Sequence, residues 1–280
     1  EESPMPSGTT SLPVRSTFGQ TMRSDSWWAQ PVAVGVGLVF FFGYLTWAAV
    51  QGEYYTFGNY LSPAYSPELF GDTPHALFGP LPTWWPAWLP WAPVLILWAP
   101  GGFRATCYYY RGAYYKAWFA DPPNCSVGEP RQSYLGVWWK PATWNERSFP
   151  LIMQNMHRYF LFFALIFIVI LSYDAWRALW FIDPATGEET LGLGVGTLVV
   201  TLNAILLGGY TLGCHSLRHL VGGGLDVLFD KPIRRTTHAC VGCLNRRHML
   251  WAWTSLVWVC FTDLYVRMLA MGVWTDWRIF

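Results

Sequence analysis

Five long apolar stretches, separated by polar segments, dominate the pattern of the chain. The first covers residues 32–50 and reads VAVGVGLVFFFGYLTWAAV, and the others lie at about 84–105, 157–179, 191–213 and 249–273. Because a helix rises about 1.5 Å per residue, about 20 apolar residues cross the hydrocarbon core of a bilayer. The pattern therefore predicts an all-α integral membrane protein with five transmembrane helices.

Two of these stretches depart from a uniform apolar helix. The second is rich in Trp, and prolines recur from Pro82 to Pro100, so its start is expected to be irregular. The fifth contains Asp263 and Arg267, which are four residues apart and share one helical face. Since charges inside a membrane are costly, we expect this pair to face protein or to lie near the interface.

Composition supports a membrane protein and argues against other classes. Hydrophobic residues make up 53% of the 280-residue chain and charged residues 12%, whereas soluble domains carry roughly 25% charged residues. The net charge of +1 does not indicate nucleic-acid binding, and six cysteines are too few for a disulfide framework. No signal-peptide pattern opens the chain. Residues 1–26 are thus expected to form an N-terminal tail, and residues 27–280 the membrane domain.

The distribution of basic residues predicts the orientation. Of the 18 Lys and Arg residues, 15 lie in the N-terminal tail or in segments 104–158 and 214–248, and the loop 51–85 contains none. Positive charge collects on the cytoplasmic side of membrane proteins. The N-terminus and both basic segments are therefore predicted to be cytoplasmic, and five spans place the C-terminus outside.

Most of the Cys and His residues fall in the same cytoplasmic layer. Only His75 and Cys260 lie toward the other side, and the remaining ten of twelve are Cys107, Cys125, His157, Cys214, His215, His219, His238, Cys240, Cys243 and His248. His215 and His219 are four residues apart, a spacing that lets two imidazoles bind one metal. The layer is therefore a candidate metal centre.

Spacing alone leaves three kinds of metal centre open. A bis-His haem would pair His157 with His215, His219 or His248. A zinc site could use residues of the HACVGC segment with a later histidine, namely His238, Cys240, Cys243 and His248. A [2Fe–2S] cluster would take two Cys on one iron and two His on the other. Because no His lies deep toward the outer face, electrons that enter from the cytoplasmic side should also leave near it.

Several long motifs carry a family resemblance. RATCYYYRGAYYKAWFADPPNC (104–125), FPLIMQNMHRYF (149–160), YTLGCHSLRH (210–219) and LNRRHMLWAW (244–253) closely resemble the cytochrome b-like membrane anchor of mycobacterial-type actinobacterial succinate dehydrogenases. The similarity extends to SDSWWAQPV before the first span and YLSPAYSP after it, and covers most of residues 24–270.

The resemblance implies a function in respiratory complex II in the bacterial inner membrane. Such an anchor holds a flavoprotein subunit and an iron–sulfur subunit on the cytoplasmic face, carries a Rieske-type [2Fe–2S] cluster instead of haem b, and reduces quinone. It implies two thiol ligands among Cys107, Cys125 and Cys214, and two imidazole ligands among His157, His215, His219 and His248. Our first choice is the set Cys107, Cys125, His215 and His219, with Cys214, His157 and His248 in reserve.

The quinone, menaquinone or ubiquinone, needs an apolar slot with a few polar groups. Candidates in the cytoplasmic layer are Tyr108, Tyr109, Arg158, Tyr159 and Arg247, although each could instead anchor the chain at the lipid interface. The soluble subunits are expected to dock on segments 116–155 and 221–245. The chain lacks a flavin fingerprint, so we expect it to act within an obligate complex, which could itself be oligomeric.

The sequence departs from the family pattern at two places, and two other functions remain as alternatives. Leu217 stands where the family often has another Cys, and the segment HACVGC (238–243) does not belong to the family pattern. A transporter would need polar groups near the middle of the bilayer, but the first and fourth stretches contain no charge. A purely structural anchor, with neither metal nor quinone, is the other alternative.

Overall fold

The computed structural model describes residues 23–120, 151–182, 186–223 and 230–280. Most of the predicted N-terminal tail, Cys125 and most of the predicted docking segment 116–155 lie outside these ranges. The chain divides into two compact units, one of residues 38–111 with 145–280, and one of residues 1–37 with 112–144. All of the functional residues described below belong to the larger unit.

Helices account for most of the described residues. The α-helices are α1 (Ala29–Gln51), α2 (Trp98–Thr106), α3 (Tyr108–Trp118), α4 (Leu151–Arg177), α5 (Val195–Leu212), α6 (His215–Gly222), α7 (Pro232–Asn245) and α8 (His248–Ala270). A π-helical segment, Pro93–Leu97, leads directly into α2. Two short antiparallel hairpins complete the described structure, β1 (Thr56–Phe57) with β2 (Tyr60–Leu61), and β3 (Trp180–Ile182) with β4 (Glu189–Leu191).

Within the described ranges, four helices are long and apolar enough to cross a membrane. They are α1, α4 from Asn155 onward, α5 and α8, and they match four of the five predicted spans to within a few residues. The prediction of a mostly helical membrane protein is therefore confirmed, whereas the fifth span is not.

The second predicted span, 84–105, differs most from expectation. Its helical part starts only at Trp91, directly after Pro90, and ends at Thr106, and the residues before it form turns in which Trp85 N–H donates to the Pro82 carbonyl and Leu89 N–H to the Pro86 carbonyl. Proline lacks an N–H group and disfavours helical backbone in the residue before it. Repeated prolines therefore delay the helix, which is shorter than the other four.

Glycines allow close approach between helices at Gly102 and at Gly209. A Cβ atom at Gly102 in α2 would lie 2.2 Å from the Phe160 ring of α4, and one at Gly209 in α5 would lie 2.6 Å from the Trp251 ring of α8. Small residues at such contacts let membrane helices pack tightly, where van der Waals contact replaces the hydrophobic effect as the main attraction. These contacts fix the register of α2 on α4 and of α5 on α8.

A buried ion pair in α8 joins this helix to α1 and to the loop after it. The Arg267 and Asp263 side chains are 1% and 0% exposed, and Arg267 Nε donates to Asp263 Oδ2 at 3.4 Å. The carboxylate also accepts hydrogen bonds from the hydroxyls of Tyr44 and Ser62, while Arg267 Nη1 donates to the Glu53 carbonyl at 2.9 Å. The intramembrane pair thus faces protein, as its sequence spacing predicts.

Substitution Asp263→Asn should destabilise the fold strongly. It leaves the buried Arg267 charge without its counter-ion, a change that costs about 3–5 kcal/mol in buried pairs. We expect a clearly lower melting temperature of the detergent-purified protein. Glu189→Gln is the control, because it breaks the solvent-exposed Arg177–Glu189 pair, which water and salt screen. Equal shifts in the two variants would contradict this account of the buried pair.

Candidate functional site

Two thiols and two imidazoles lie at or near the ends of six helices. Cys107 separates α2 from α3, and Cys214 separates α5 from α6. Both have extended backbone, with φ and ψ of −60° and 132° at Cys107 and −65° and 138° at Cys214. His157 lies near the start of α4, and His248 is the first residue of α8. Four separate parts of the chain therefore contribute one side chain each.

The four side chains form two thiol–imidazole contacts. Nε2 of His157 is 3.1 Å from Sγ of Cys214, and Nε2 of His248 is 3.5 Å from Sγ of Cys107. Both cysteines are free thiols and are almost completely buried. His157 is also buried, whereas His248 is half-buried. We call these four residues the thiol–imidazole cluster.

Thr106 determines how the His157 ring presents its nitrogens. The Thr106 hydroxyl donates to the Gly102 carbonyl at 2.7 Å, so it has no second proton to donate. It lies 2.9 Å from Nδ1 of His157 and must accept a hydrogen bond from that nitrogen. Nδ1 therefore carries the proton, and the Nε2 lone pair points at Cys214. A second hydrogen bond of this kind is the usual way in which proteins orient a metal-binding imidazole.

Aromatic rings hold the planes of both imidazoles. His157 stacks on Phe103, with centroids 4.4 Å apart and planes inclined by 12°, and His248 stacks on Tyr210 at 5.0 Å and 17°. Nδ1 of His248 and the Tyr210 hydroxyl are buried, and neither has a hydrogen-bond partner within the described ranges. The stacking fixes the plane of each ring, and Nε2 faces a thiol in both cases.

Local electrostatics keep the Cys214 thiol protonated unless a cation binds it. Burial raises the pKa of the Cys214 thiol, and the backbone N–H groups of Leu217 and Ser216 at the start of α6 oppose that shift. The thiolate is the form that binds metal. Binding of a metal at this position would therefore release a proton.

The donor set of the cluster fits a binuclear iron–sulfur centre. Two Cys on one iron and two His on the other is the Rieske arrangement, and it needs two ligands at each metal. Among the residues that the structure describes, no group of three or more His, Cys, Asp or Glu side chains is arranged to hold a single metal ion. The contacts that the structure shows are two mixed thiol–imidazole pairs, His157 with Cys214 and His248 with Cys107.

The four first-choice ligands predicted from the sequence do not all lie in the thiol–imidazole cluster. Cys107 belongs to the cluster, and Cys125 lies outside the described residues. His215 and His219 contact each other on α6, with Nε2 atoms 2.9 Å apart. Burial, followed by the neighbouring His219 and Arg218, lowers the pKa of the His215 imidazole. The three reserve candidates, Cys214, His157 and His248, are the residues that the structure brings together with Cys107.

The zinc alternative is not assembled in the described residues. Cys240 and Cys243 lie exposed on α7, and the His238 ring lies against Gly222 of α6. His248, the fourth residue of that hypothesis, contacts Cys107 instead. The HACVGC segment therefore stays separate from the thiol–imidazole cluster.

The predicted quinone residues are more dispersed than the candidate ligands. Tyr108, Arg158, Tyr159 and Arg247 are exposed. Tyr109 is half-buried, its hydroxyl accepts a hydrogen bond from Trp253 Nε1, and burial raises the pKa of this hydroxyl. Their arrangement neither defines a single slot nor argues against one.

Sequence reasoning missed the buried polar network next to the cluster. Arg104 is 8% exposed. Its Nη1 donates to the Tyr110 hydroxyl and to the Ala252 carbonyl, and its Nη2 donates to Ser255 Oγ at 2.9 Å. In sequence, Arg104 is one of many basic residues on the cytoplasmic side. Only its position three residues before Cys107 could have drawn attention to it.

Comparisons with known proteins agree with this architecture. A family model described as actinobacterial succinate dehydrogenase subunit SdhC matches residues 29–272. Among solved structures, the chain is similar to one of the "Mycobacterium smegmatis Sdh1 complex in the apo form", with 36% identity and a TM-score of 0.79, over 96% of this chain and 97% of the other. No curated protein matches the chain significantly.

Substitution Thr106→Val should disturb the cluster without touching its four members. It removes the hydroxyl that lies 2.9 Å from Nδ1 of His157, and the loss of one such hydrogen bond costs about 0.5–1.5 kcal/mol. We expect a lower melting temperature of the purified protein, whereas Thr106→Ser, which keeps the hydroxyl, should melt close to wild type. If Val and Ser at this position behave alike, the hydroxyl does not orient His157.

Proposed function

The chain belongs to the SdhC family of actinobacterial succinate dehydrogenases, and we propose that it relays electrons from the iron–sulfur subunit to quinone through a [2Fe–2S] cluster. Succinate dehydrogenase is an enzyme complex, and its membrane subunit is not catalytic alone. The flavoprotein subunit would oxidise succinate. The observation that carries the proposal is the convergence of Cys107, Cys214, His157 and His248 from four parts of the chain.

We propose these four residues as the ligands. A [2Fe–2S] group with two imidazole ligands supplies one-electron transfer at a potential well above that of an all-cysteine cluster. Cys107 and Cys214 would bind as thiolates, and His157 and His248 would bind through Nε2. Thr106 keeps the His157 proton on Nδ1. Burial of the two thiols excludes water and external oxidants from the sulfur atoms.

A haem b anchor is the alternative, and the contacts of the imidazoles disfavour it. A bis-His haem needs two Nε2 atoms facing each other across the macrocycle. Here the Nε2 atoms of His157 and His248 each face a thiol, and both rings stack on aromatic side chains. Two thiols in the same place are donors that a haem does not use, whereas a Rieske-type cluster uses all four side chains.

The orientation in the bacterial inner membrane follows from charge. We propose that the N-terminus is cytoplasmic, because 15 of the 18 basic residues fall in the tail and in segments 104–158 and 214–248. The thiol–imidazole cluster then lies at the cytoplasmic end of the bundle, beside the docked soluble subunits. The helix Pro93–Thr106 would complete the crossing as a fifth, shorter span, which places the C-terminus outside.

Quinone would bind in the same layer as the cluster. We propose Tyr108, Tyr109, Arg158, Tyr159 and Arg247 as the polar groups from which its contacts are drawn. Tyrosine hydroxyls and arginine N–H groups can donate hydrogen bonds to quinone carbonyl oxygens. The cytoplasmic side also supplies the two protons that two-electron quinone reduction consumes. Menaquinone and ubiquinone both have this chemistry.

Optical and paramagnetic resonance spectra of the purified complex should separate the two cofactor hypotheses. With a Rieske-type cluster we expect a paramagnetic resonance signal of a reduced [2Fe–2S] centre and iron beyond that of the soluble subunits, without a sharp reduced α-band. A reduced α-band together with the absence of that signal would favour haem.

Substitution of the proposed ligands should uncouple quinone reduction from succinate oxidation. In Cys214→Ser and His157→Gln we expect loss of the [2Fe–2S] signal and of quinone reduction, while succinate oxidation with an artificial acceptor persists. Cys260→Ala is the control, because this buried thiol lies 12 residues beyond His248 in α8 and contacts the Phe41 carbonyl. It should keep both the signal and quinone reduction.

The same measurements decide between the two ligand sets. If His215→Gln and His219→Gln abolish the signal while His157→Gln and His248→Gln retain it, the set Cys107, Cys125, His215 and His219 is correct. The opposite result assigns the ligands to the thiol–imidazole cluster. Assembly of each variant with the soluble subunits is checked by size-exclusion chromatography, so that a misfolded chain is not mistaken for a missing ligand.

A further inference from the structure

The larger unit contains two buried arginines, and only one of them has a counter-ion among the described residues. Arg267 pairs with Asp263. The other ion pairs of the described chain are Arg23–Asp25 and Arg177–Glu189, and none includes Arg104. Arginine cannot lose its charge in a protein. Arg104 therefore brings an uncompensated positive charge into the interior.

The partners of Arg104 are all neutral. Its guanidinium donates to the Tyr110 hydroxyl, the Ala252 carbonyl and Ser255 Oγ. It also lies over two aromatic rings, 4.7 Å from the Tyr210 centroid and 5.4 Å from the Tyr110 centroid. These contacts give Arg104 hydrogen-bond partners but do not neutralise its charge. A charge buried at such cost calls for a negative charge, and no residue that the structure describes supplies one.

The thiol–imidazole cluster lies close to Arg104 and could hold a group that carries such a charge. Arg104 lies 4.7 Å from the Tyr210 centroid, and the His248 ring stacks on the same Tyr210 at 5.0 Å. The guanidinium is thus within about 10 Å of the His248 ring, with no bulk water between buried groups to screen it. Along the chain, Arg104 precedes Cys107 by one helical turn.

We propose that the buried positive charge of Arg104 raises the midpoint potential of the redox centre held by the thiol–imidazole cluster. This inference rests on the proposed function. Two ferric ions, two sulfides and two thiolates sum to zero charge, so one electron from the iron–sulfur subunit makes the centre anionic. Arg104 stabilises that added charge and makes transfer into the membrane subunit more favourable. The sign is the same for any centre that gains an electron here.

A structural role for Arg104 makes a different prediction. Its hydrogen bonds join α2 to α8 through Ala252 and Ser255, so any substitution could lower stability. A purely structural role, however, predicts no difference in the midpoint potential of a neighbouring redox centre between a charged and a neutral replacement of Arg104. The midpoint potential is therefore the readout that separates the two roles.

The test is a redox titration of the intact purified complex, followed through the paramagnetic signal of the reduced cluster. In Arg104→Gln we expect reduction to be disfavoured by about tenfold or more, which corresponds to about 59 mV for a one-electron couple. Arg104→Lys keeps the charge and should stay close to wild type. Equal potentials in wild type and Arg104→Gln, or equal losses in Gln and Lys, would overturn the proposal.

A second variant tests the charge without removing the arginine. Ser255→Asp places a carboxylate at a position that already accepts from Arg104 Nη2, and neutralising the cation in this way should also lower the potential. If Arg104→Gln fails to assemble, an unchanged potential in Ser255→Asp overturns the proposal. A wild-type complex without any such signal contradicts the proposed function instead, so the two failures are distinguishable.

Discussion

The contact of two breaks between helices, at Cys107 and Cys214, with the N-terminal parts of α8 and α4 is the constraint on which the rest of the structure depends. Non-helical backbone near a membrane is tolerated only where its polar groups find partners. At Cys107 and Cys214 the breaks are satisfied locally, because each N–H group donates to the carbonyl three residues earlier and each carbonyl accepts from the residue four positions later. The chain can therefore interrupt two helices and turn a thiol inward at each interruption.

The two buried arginines show how the bundle treats charge differently at its two ends. Arg267 is neutralised by Asp263 and holds α8 against α1 and the following loop. Arg104, near the thiol–imidazole cluster, has neutral partners and two tyrosine rings. An arginine that is paired with a carboxylate thus stabilises helix contacts, whereas an arginine with neutral partners contributes a net positive electrostatic field.

Hydrophobic run length was enough to predict four of the spans, because it measures what a bilayer requires. It overestimated the second, since the prolines up to Pro90 prevent a helix before Trp91 whatever their hydrophobicity. The sequence also placed the Cys and His residues in one layer. It could not predict which of these residues contact one another across helices. Spacing within a helix predicts that His215 lies next to His219, but it does not predict which residues of other helices face them. That choice depends on where helices break and on contacts between residues far apart in sequence.

The contact between Gly102 and Phe160 links helix packing to the geometry of the thiol–imidazole cluster. Gly102 is also the residue whose carbonyl accepts the hydrogen bond of the Thr106 hydroxyl, and Phe160 follows His157 by three positions on α4. A methyl group at this glycine would meet the Phe160 ring at 2.2 Å, so that the ring or the helix that carries it must shift. A position with no functional group of its own therefore constrains where the imidazole lies.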